Sequence, residues 1–244
     1  MKYNILTIFP EMFTPLRESM LGRASENGII EFNIINFRDY TKDKHNRVDD
    51  TPYGGGAGMI LQVDPIISAI RDKELKGKFI YMSPRGKILN EEKARELSTK
   101  DEITMICGHY EGIDQRVLDE LHAEEISVGD FILTGGELPA MLLIDCVSRF
   151  IDGVLSSEES MEDESIYSGL LEYPQYTKPR EIIEREVPEV LLSGNHELIR
   201  LWRFEQSLRL TKEIRPDLFT KYINSGRKFS KKEKKIIEEV SSDK

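Results

Sequence analysis

Cysteine is scarce in this sequence, with two residues in 244, and no apolar run approaches the roughly 20 residues that a membrane-spanning helix needs. Cys107 and Cys146 both lie in apolar surroundings and have no metal-ligand spacing. This usage of cysteine is typical of a reduced compartment. The apolar run that ends before Pro10 is too short for a signal peptide. We therefore expect a cytoplasmic protein without a membrane segment or a metal site.

Two common nucleotide-binding motifs are also absent. No G-x-G-x-x-G opens a helix after a strand, and no glycine-rich run ends in Lys-Ser or Lys-Thr, which disfavours an NAD enzyme or a P-loop NTPase. Glycines cluster instead in loops at 83–86, 108–112 and 127–136, and residues 127–139 read SVGDFILTGGELP. Each loop is either a tight turn between a strand and a helix, or a place where the main chain approaches a ligand at the carboxyl ends of neighbouring strands.

Charge is unevenly distributed along the chain. The net charge is −10, yet residues 174–244 hold 16 lysines and arginines against 12 aspartates and glutamates. An acidic body with a mildly basic C-terminal part is compatible with a polyanionic partner. A solvated lysine-rich helix explains the same charges equally well.

Strand and helix signals alternate through the first 150 residues, which predicts an α/β fold with a mostly parallel sheet. The spacing of apolar residues predicts strands at Tyr3–Phe9, Ile29–Phe37, Phe79–Met82, Ile103–Cys107 and Glu125–Val128. Helices are predicted at Glu11–Met20, Asp64–Lys73, Asn90–Ser98, Asp114–Leu121 and Glu137–Phe150, with a long polar loop at Arg38–Gly58. The apolar face of the last helix is predicted from Leu138, Met141, Leu142, Ile144 and Val147.

The composition changes at Ser156–Ser165, which is acidic and has one apolar residue in ten. This is typical of a flexible linker. Beyond it no strand signal is convincing. Asn195–Thr211 has helical spacing, and Trp202 is predicted to be a core residue. We therefore expect an α/β domain at 1–155, a linker at 156–165 and a smaller helical domain at 166–244.

Seven blocks of sequence resemble the bacterial tRNA (guanine-N1-)-methyltransferases, a family of the SPOUT class whose α/β fold is tied in a trefoil knot. Long, ordered matches are far more specific than one short motif. The blocks are Asn4–Phe13, Pro52–Met59, Tyr81–Gly86, Cys107–Val117, Ser127–Met141, Gly169–Pro179 and Val187–His196.

The resemblance implies methyl transfer from S-adenosyl-L-methionine to N1 of guanosine at position 37 of tRNA, beside the anticodon. It implies that the donor lies bent in the knot, against main chain that glycines leave accessible. The cofactor-binding residues would be Tyr81, Met82, Ser83, Pro84, Gly108, Glu111, Ser127, Val128, Gly129, Asp130, Phe131, Ile132, Leu133, Gly135, Gly136 and Pro139. Glu111 is otherwise explained as a solvated loop carboxylate.

Guanine N1 carries a proton, so the reaction needs a general base. Charge that develops on O6 needs a cation or a strong donor. By resemblance these roles fall on Glu164 and Arg149. The family has aspartate where this chain has Glu164, so Asp163 is the alternative base. Without the resemblance both are linker charges, and Arg149 is a cation favoured at a helix end.

The resemblance also implies which residues hold tRNA and that two subunits build one active site, so a homodimer is expected. The long loop would meet the flipped guanine, and the second domain would hold the anticodon stem-loop. The substrate-binding residues would be Asp49, Asp50, Tyr53, Gly54, Gly55, Gly56, Ser165, Asn195, His196, Arg200 and Arg203. A mobile surface hairpin is the alternative for the loop, and helix capping by Ser193 or Asn195 is the alternative for the second domain.

Two competing functions stay open at this level. A ribose 2′-O-methyltransferase of the same knotted class would need no carboxylate near N1. A non-catalytic RNA-binding protein could have lost its base when aspartate became glutamate.

Overall fold

The computed structural model describes residues 1–155, 166 and 168–242. Parallel strands dominate its N-terminal part. The strands of this part are β1 (Lys2–Thr7), β2 (Glu31–Asn36), β3 (Asp49–Asp50), β4 (Ile60–Leu61), β5 (Lys78–Ile88), β6 (Glu102–Ile106) and β7 (Glu124–Ser127). Five of them form one parallel sheet in the order β2-β1-β6-β5-β7, and β3 pairs with β4 in a separate antiparallel pair. The predicted α/β fold with a mostly parallel sheet is confirmed.

Helices cover both faces of this sheet. They are α1 (Ser19–Glu26), α2 (Val63–Asp72), α3 (Glu91–Ser98), α4 (Gln115–Leu121) and α5 (Glu137–Ser148), with 3-10 helices at Pro10–Arg17 and Phe37–Tyr40. Successive strand residues point to opposite faces, so Ile5 packs into one apolar cluster and Leu6 into the other. Because both faces of the sheet are covered, the sequences of its strands are nearly continuous runs of apolar residues.

Several element predictions need correction. The helix predicted at Glu11–Met20 is a 3-10 helix followed by α1, and the chain is extended at Glu18 between them. Pro15 lies inside the first segment, and proline lacks the N–H that a continuous α-helix requires. Strand β5 is longer than predicted because Met82 and Lys87 both pair with Ile126, so the residues between them loop out of the ladder.

The predicted apolar face of α5 is partly wrong. Ile144 and Val147 are buried as expected, but Leu138 and Leu142 are 53% and 45% exposed. Buried positions instead include Ala140 and Leu143. The helix is apolar almost all round, so spacing alone did not identify the side that faces the sheet.

The chain divides into two compact units, Met1–Ser156 and Ser157–Lys244. The second contains α6 (Glu189–Leu192), α7 (His196–Ile214), α8 (Pro216–Ile223) and α9 (Lys231–Ser242) around a small core of Leu170, Leu208, Phe219 and Val240. It also has a hairpin of β8 (Glu181–Ile182) and β9 (Arg185–Glu186), which the sequence did not predict because each strand has two residues. Trp202, predicted to be core, is only half-buried.

Tyr3 fixes the C-terminal end of α5 to the sheet. Its buried hydroxyl shares a 2.9 Å hydrogen bond with the hydroxyl of Ser148, the last residue of the helix. Burial raises the pKa of the Tyr3 phenol far above its ordinary value, so the phenol stays neutral.

We expect Tyr3→Phe to lower the free energy of unfolding by about 1–3 kcal/mol, because it leaves the Ser148 hydroxyl buried without its partner. The double variant Tyr3→Phe, Ser148→Ala should recover part of that loss, since neither side chain then has a polar group to satisfy. Urea denaturation measures both. Equal losses in the single and double variants would contradict this account.

Candidate functional site

A cleft of 1450 Å³ opens at the edge of the sheet where β5, β6 and β7 end. All of its lining residues belong to the first unit. Parallel strands bring the loops at their carboxyl ends to the same edge, which is the usual place for a ligand in such a sheet. The cleft is therefore a consequence of the topology.

Most residues predicted to bind the cofactor line this cleft. They are Tyr81, Met82, Ser83, Pro84, Gly108, Glu111, Ser127, Val128, Gly129, Phe131, Ile132, Leu133, Gly135, Gly136 and Pro139. Asp130 is the predicted residue that the lining does not include. Of the residues predicted to meet the target base, Asp50 and Tyr53 line the cleft, while Asp49 and Gly54 to Gly56 do not.

Among the lining residues of the cleft, the ring of Tyr81 lies against the main chain of Gly108. A Cβ at Gly108 would lie 2.6 Å from the phenol oxygen, so the ring packs directly on the backbone of residue 108. Burial raises the pKa of the Tyr81 phenol, and the nearby Arg85 charge opposes that shift. The Tyr81 phenol is therefore neutral, and it lies against the main chain of residue 108.

Two of the glycine loops are joined to each other. The Gly136 N–H donates to the Gly108 carbonyl at 2.8 Å, and His109 pairs with Gly135 in an isolated bridge. Within the loop after β7, the Ser127 hydroxyl donates to the Gly129 carbonyl and accepts from the Gly129 N–H. These hydrogen bonds, each of which involves a main-chain group, hold the loops that line the cleft in place. Room for a ligand remains between the loops.

A buried carboxylate lies beneath the walls. Glu137, fully buried in the first turn of α5, accepts a 2.9 Å hydrogen bond on Oε1 from the hydroxyl of Thr7. Its Oε2 lies 3.5 Å from Nε2 of His109, and it has no hydrogen-bond partner in the described part of the chain. The N-terminus of a helix favours a negative charge. Glu137 thus links the end of β1, the loop after β6 and the start of α5.

Sequence reasoning missed several lining residues. His109 and Gln115 lie in the same block as Gly108, and Arg85 lies in the loop after Pro84. Arg85 forms an exposed ion pair with Glu125 at 3.1 Å. All three lining residues lie in sequence blocks that resemble the family, but they are not glycines and were not predicted to line the cleft.

Of the residues predicted to do the chemistry, the structure describes only Arg149. Arg149 caps the C-terminal end of α5, is half-buried and is not among the lining residues. Glu164, Asp163 and Ser165 lie outside the described residues.

In the second unit, the predicted tRNA-binding residues make contacts within the chain. Asn195 caps α7 by accepting from the N–H groups of Glu197 and Leu198, so the capping interpretation is confirmed for this residue. His196 is exposed in the first turn of α7. Arg200 pairs with Glu233 at 2.6 Å, and the Arg203 guanidinium lies 4.8 Å from the centre of the Tyr173 ring.

None of the helices in the described residues has the length and apolar character needed to span a bilayer. Across those same residues, no group of three or more histidines, cysteines and carboxylates is arranged to hold a metal ion.

The hydroxyl of Thr7 donates to Oε1 of the buried Glu137, and it also accepts from the Phe9 N–H at 2.9 Å. We expect Thr7→Val to lower the free energy of unfolding by about 1–3 kcal/mol, because a buried carboxylate loses its donor. Thr7→Ser keeps the hydroxyl and should lose less. Urea denaturation of both variants measures the difference, and equal losses would show that only packing matters at this position.

Known proteins resemble the chain over nearly its full length. A sequence model of the family described as tRNA (Guanine-1)-methyltransferase TrmD matches residues 1–221. A protein of Ruminiclostridium cellulolyticum named tRNA (guanine-N(1)-)-methyltransferase is 56% identical over 231 residues, which are 93% of this chain and 99% of the relative. Proteins of the same name are 54% identical over 239 residues in Clostridium perfringens strain 13 and 51% identical over 243 residues in Clostridium botulinum strain Hall. These cover 97% and 99% of this chain respectively, and 99% of each relative. The chain therefore belongs to the tRNA (guanine-1)-methyltransferase family TrmD.

Proposed function

We propose that this protein transfers a methyl group from S-adenosyl-L-methionine to N1 of guanosine at position 37 of tRNA, in the cytoplasm. The observation that carries the proposal is the glycine-built cleft at the carboxyl ends of the parallel strands, in a chain of the TrmD family. The trefoil knot that the resemblance implies is part of the same proposal.

The residues of the cleft fit this donor. Apolar side chains of Phe131, Ile132 and Leu133 stand exposed on one wall, where an adenine and its ribose would cover them. Gly129, Gly135 and Gly136 also line the cleft, where glycine lets the main chain approach a bound group closely. When bound, S-adenosyl-L-methionine supplies an activated methyl group. Glu111 on the rim would face a polar part of the donor.

Glu164 is assigned as the general base, with Asp163 as the alternative. A carboxylate takes the N1 proton, the N1 lone pair forms the new bond to the methyl carbon, and the methyl–sulfur bond breaks. Its electron pair stays on sulfur, so S-adenosylhomocysteine leaves. Arg149 stabilises the negative charge that develops toward O6. The exchange of aspartate for glutamate lengthens the side chain by one methylene and keeps the carboxylate.

Two copies of the chain are proposed to complete each site. Helix α5 starts at the cleft and has 12 residues, so Arg149 at its far end lies about 18 Å along the axis from that start. The same helix exposes Leu138 and Leu142, a pair at i and i+4 on one face. A second copy that covers this face would bring its own linker and helix end to the cleft.

The base-binding loop and the second unit are proposed to hold the tRNA. Asp49 and Asp50 offer acceptors that suit the N1–H and amino groups of guanine, and Tyr53 is fully exposed beside them. In the second unit, Asn195, His196, Arg200 and Arg203 would contact the anticodon stem-loop, with the arginines on phosphates. Arg200 is exposed on its side of the ion pair with Glu233, and the Arg203 guanidinium lies over the Tyr173 ring, so a phosphate can compete for both guanidinium groups.

We expect Glu164→Gln to slow single-turnover methyl transfer by at least about a hundredfold, because the amide cannot accept the N1 proton. Donor binding should persist. The measurement uses labelled S-adenosyl-L-methionine, unmodified tRNA and nucleoside analysis of the product.

Asp163→Asn is the matched control, because it removes the neighbouring carboxylate and keeps Glu164. If Asp163→Asn slows the reaction and Glu164→Gln does not, the base is Asp163.

Arg149→Ala should also slow the chemical step, and an unchanged rate would leave Arg149 as a helix-end cation. A product methylated on ribose, or none from the natural chain, would overturn the proposed function.

We expect Leu142→Asp to give a monomer on sizing chromatography with light scattering, because a charge on an apolar interface costs several kcal/mol unless it is paired. Methyl transfer should be lost with the dimer. Circular dichroism should show that the variant is folded, since Leu142 is 45% exposed in the single chain. A fully active monomer would refute the shared site.

A further inference from the structure

The loop that carries Asp50 and Tyr53 is fastened to the loop after β6 by main-chain bonds. The Glu111 N–H donates to the Met59 carbonyl, the Leu61 N–H donates to the Gly112 carbonyl, and the Asp114 N–H donates to the Leu61 carbonyl, each at 3.0 Å. Residues 59–61 therefore run beside residues 111–114 like two short strands. The loop proposed to hold the base and the loop proposed to face the donor form one unit at this point.

Gly58 adds a side-chain contact to this junction. A Cβ built on Gly58 would lie 2.5 Å from Oε1 and 2.8 Å from Cδ of Glu111, distances that real Cβ atoms essentially never show. The carboxylate of Glu111 therefore lies directly on the backbone of residue 58. Any side chain at position 58 would push Glu111 out of this position.

Gly54 in the same loop provides a natural comparison. The backbone angle φ is +87° at Gly54 and +88° at Gly58, so both have a conformation that L side chains rarely adopt. A Cβ at Gly54 would nevertheless have no atom within 4 Å. The two glycines match in φ and differ in the contact with Glu111.

We propose that Gly58 is a positioning residue that sets the direction of the Glu111 carboxylate, and so joins the base-binding loop to the donor-binding pocket. The inference rests on the proposed function, in which Glu111 faces the donor. Gly58 touches neither ligand in this proposal. Its missing side chain lets Glu111 fold back on the loop instead of extending freely into solvent, and the carboxylate is then held at the rim of the cleft.

The test measures donor-site affinity without tRNA, by calorimetric titration of S-adenosylhomocysteine. Four variants are needed: Gly58→Ala, Gly54→Ala, Glu111→Ala and the double variant Gly58→Ala, Glu111→Ala. We expect Gly58→Ala to weaken binding about tenfold, and Gly54→Ala to leave affinity within about twofold. In the Glu111→Ala background the change at Gly58 should have little further effect, because the side chain through which it acts is gone.

The outcomes separate three explanations. If Gly54→Ala weakens binding as much as Gly58→Ala, loop strain is the cause and the inference is wrong. If the effects of Gly58→Ala and Glu111→Ala add, Glu111 does not mediate the effect and the inference is also wrong. Gly58 is exposed, so thermal unfolding of Gly58→Ala should match that of Gly54→Ala, and a selective loss of stability would contradict a positioning role.

The result also distinguishes the inference from the proposed function. If the natural chain does not bind S-adenosylhomocysteine at all, the proposed function fails. If it binds and methylates guanosine at N1 while Gly58→Ala keeps full affinity, only the inference fails. In steady-state assays the expected signature of Gly58→Ala is a raised KM for the methyl donor.

Discussion

The hydrogen bond from the Thr7 hydroxyl to the buried carboxylate of Glu137 holds the rest of the site in place. Three elements that are remote in sequence meet at this carboxylate, namely the end of β1, the loop that contains His109, and the first turn of α5. The loops above it are rich in glycine, which contributes no side-chain packing. They keep their shape because the structure below them is fixed, and main-chain bonds such as Gly136 to Gly108 then complete the walls.

The sheet was predictable from the sequence because its strands are buried on both faces, and their apolar runs are bounded by turns. Helix capping was equally readable, as the side chain of Asn195 accepts from the N–H groups of Glu197 and Leu198 at the start of α7. The failures have local causes. A proline divided one predicted helix, and α5 is so apolar that its spacing did not identify the side facing the sheet. A hairpin with two-residue strands gives no periodic signal at all.

The cleft could be anticipated in outline, because glycine loops after parallel strands must meet at one edge. Its fine structure could not, since the contact of Gly58 with Glu111 joins residues more than fifty positions apart. No local pattern encodes such a pair. The place of Arg149 was predictable as a helix end, but its distance from the cleft follows only from the direction of α5.

Three of the four carboxylates that line the described cleft already have a partner or a close neighbour. Asp114 is held by the Arg116 guanidinium, whose hydrogen bond lowers the pKa of that carboxyl and so weakens it as a proton acceptor. Asp50 accepts from the Thr51 N–H at 2.8 Å, and Glu111 lies against Gly58 at the rim. Glu164, which we propose as the base, is not one of these lining carboxylates. In the proposed mechanism the in-plane N1 proton is taken first, and the lone pair left on N1 then forms the bond to the methyl carbon along the direction that the proton had occupied.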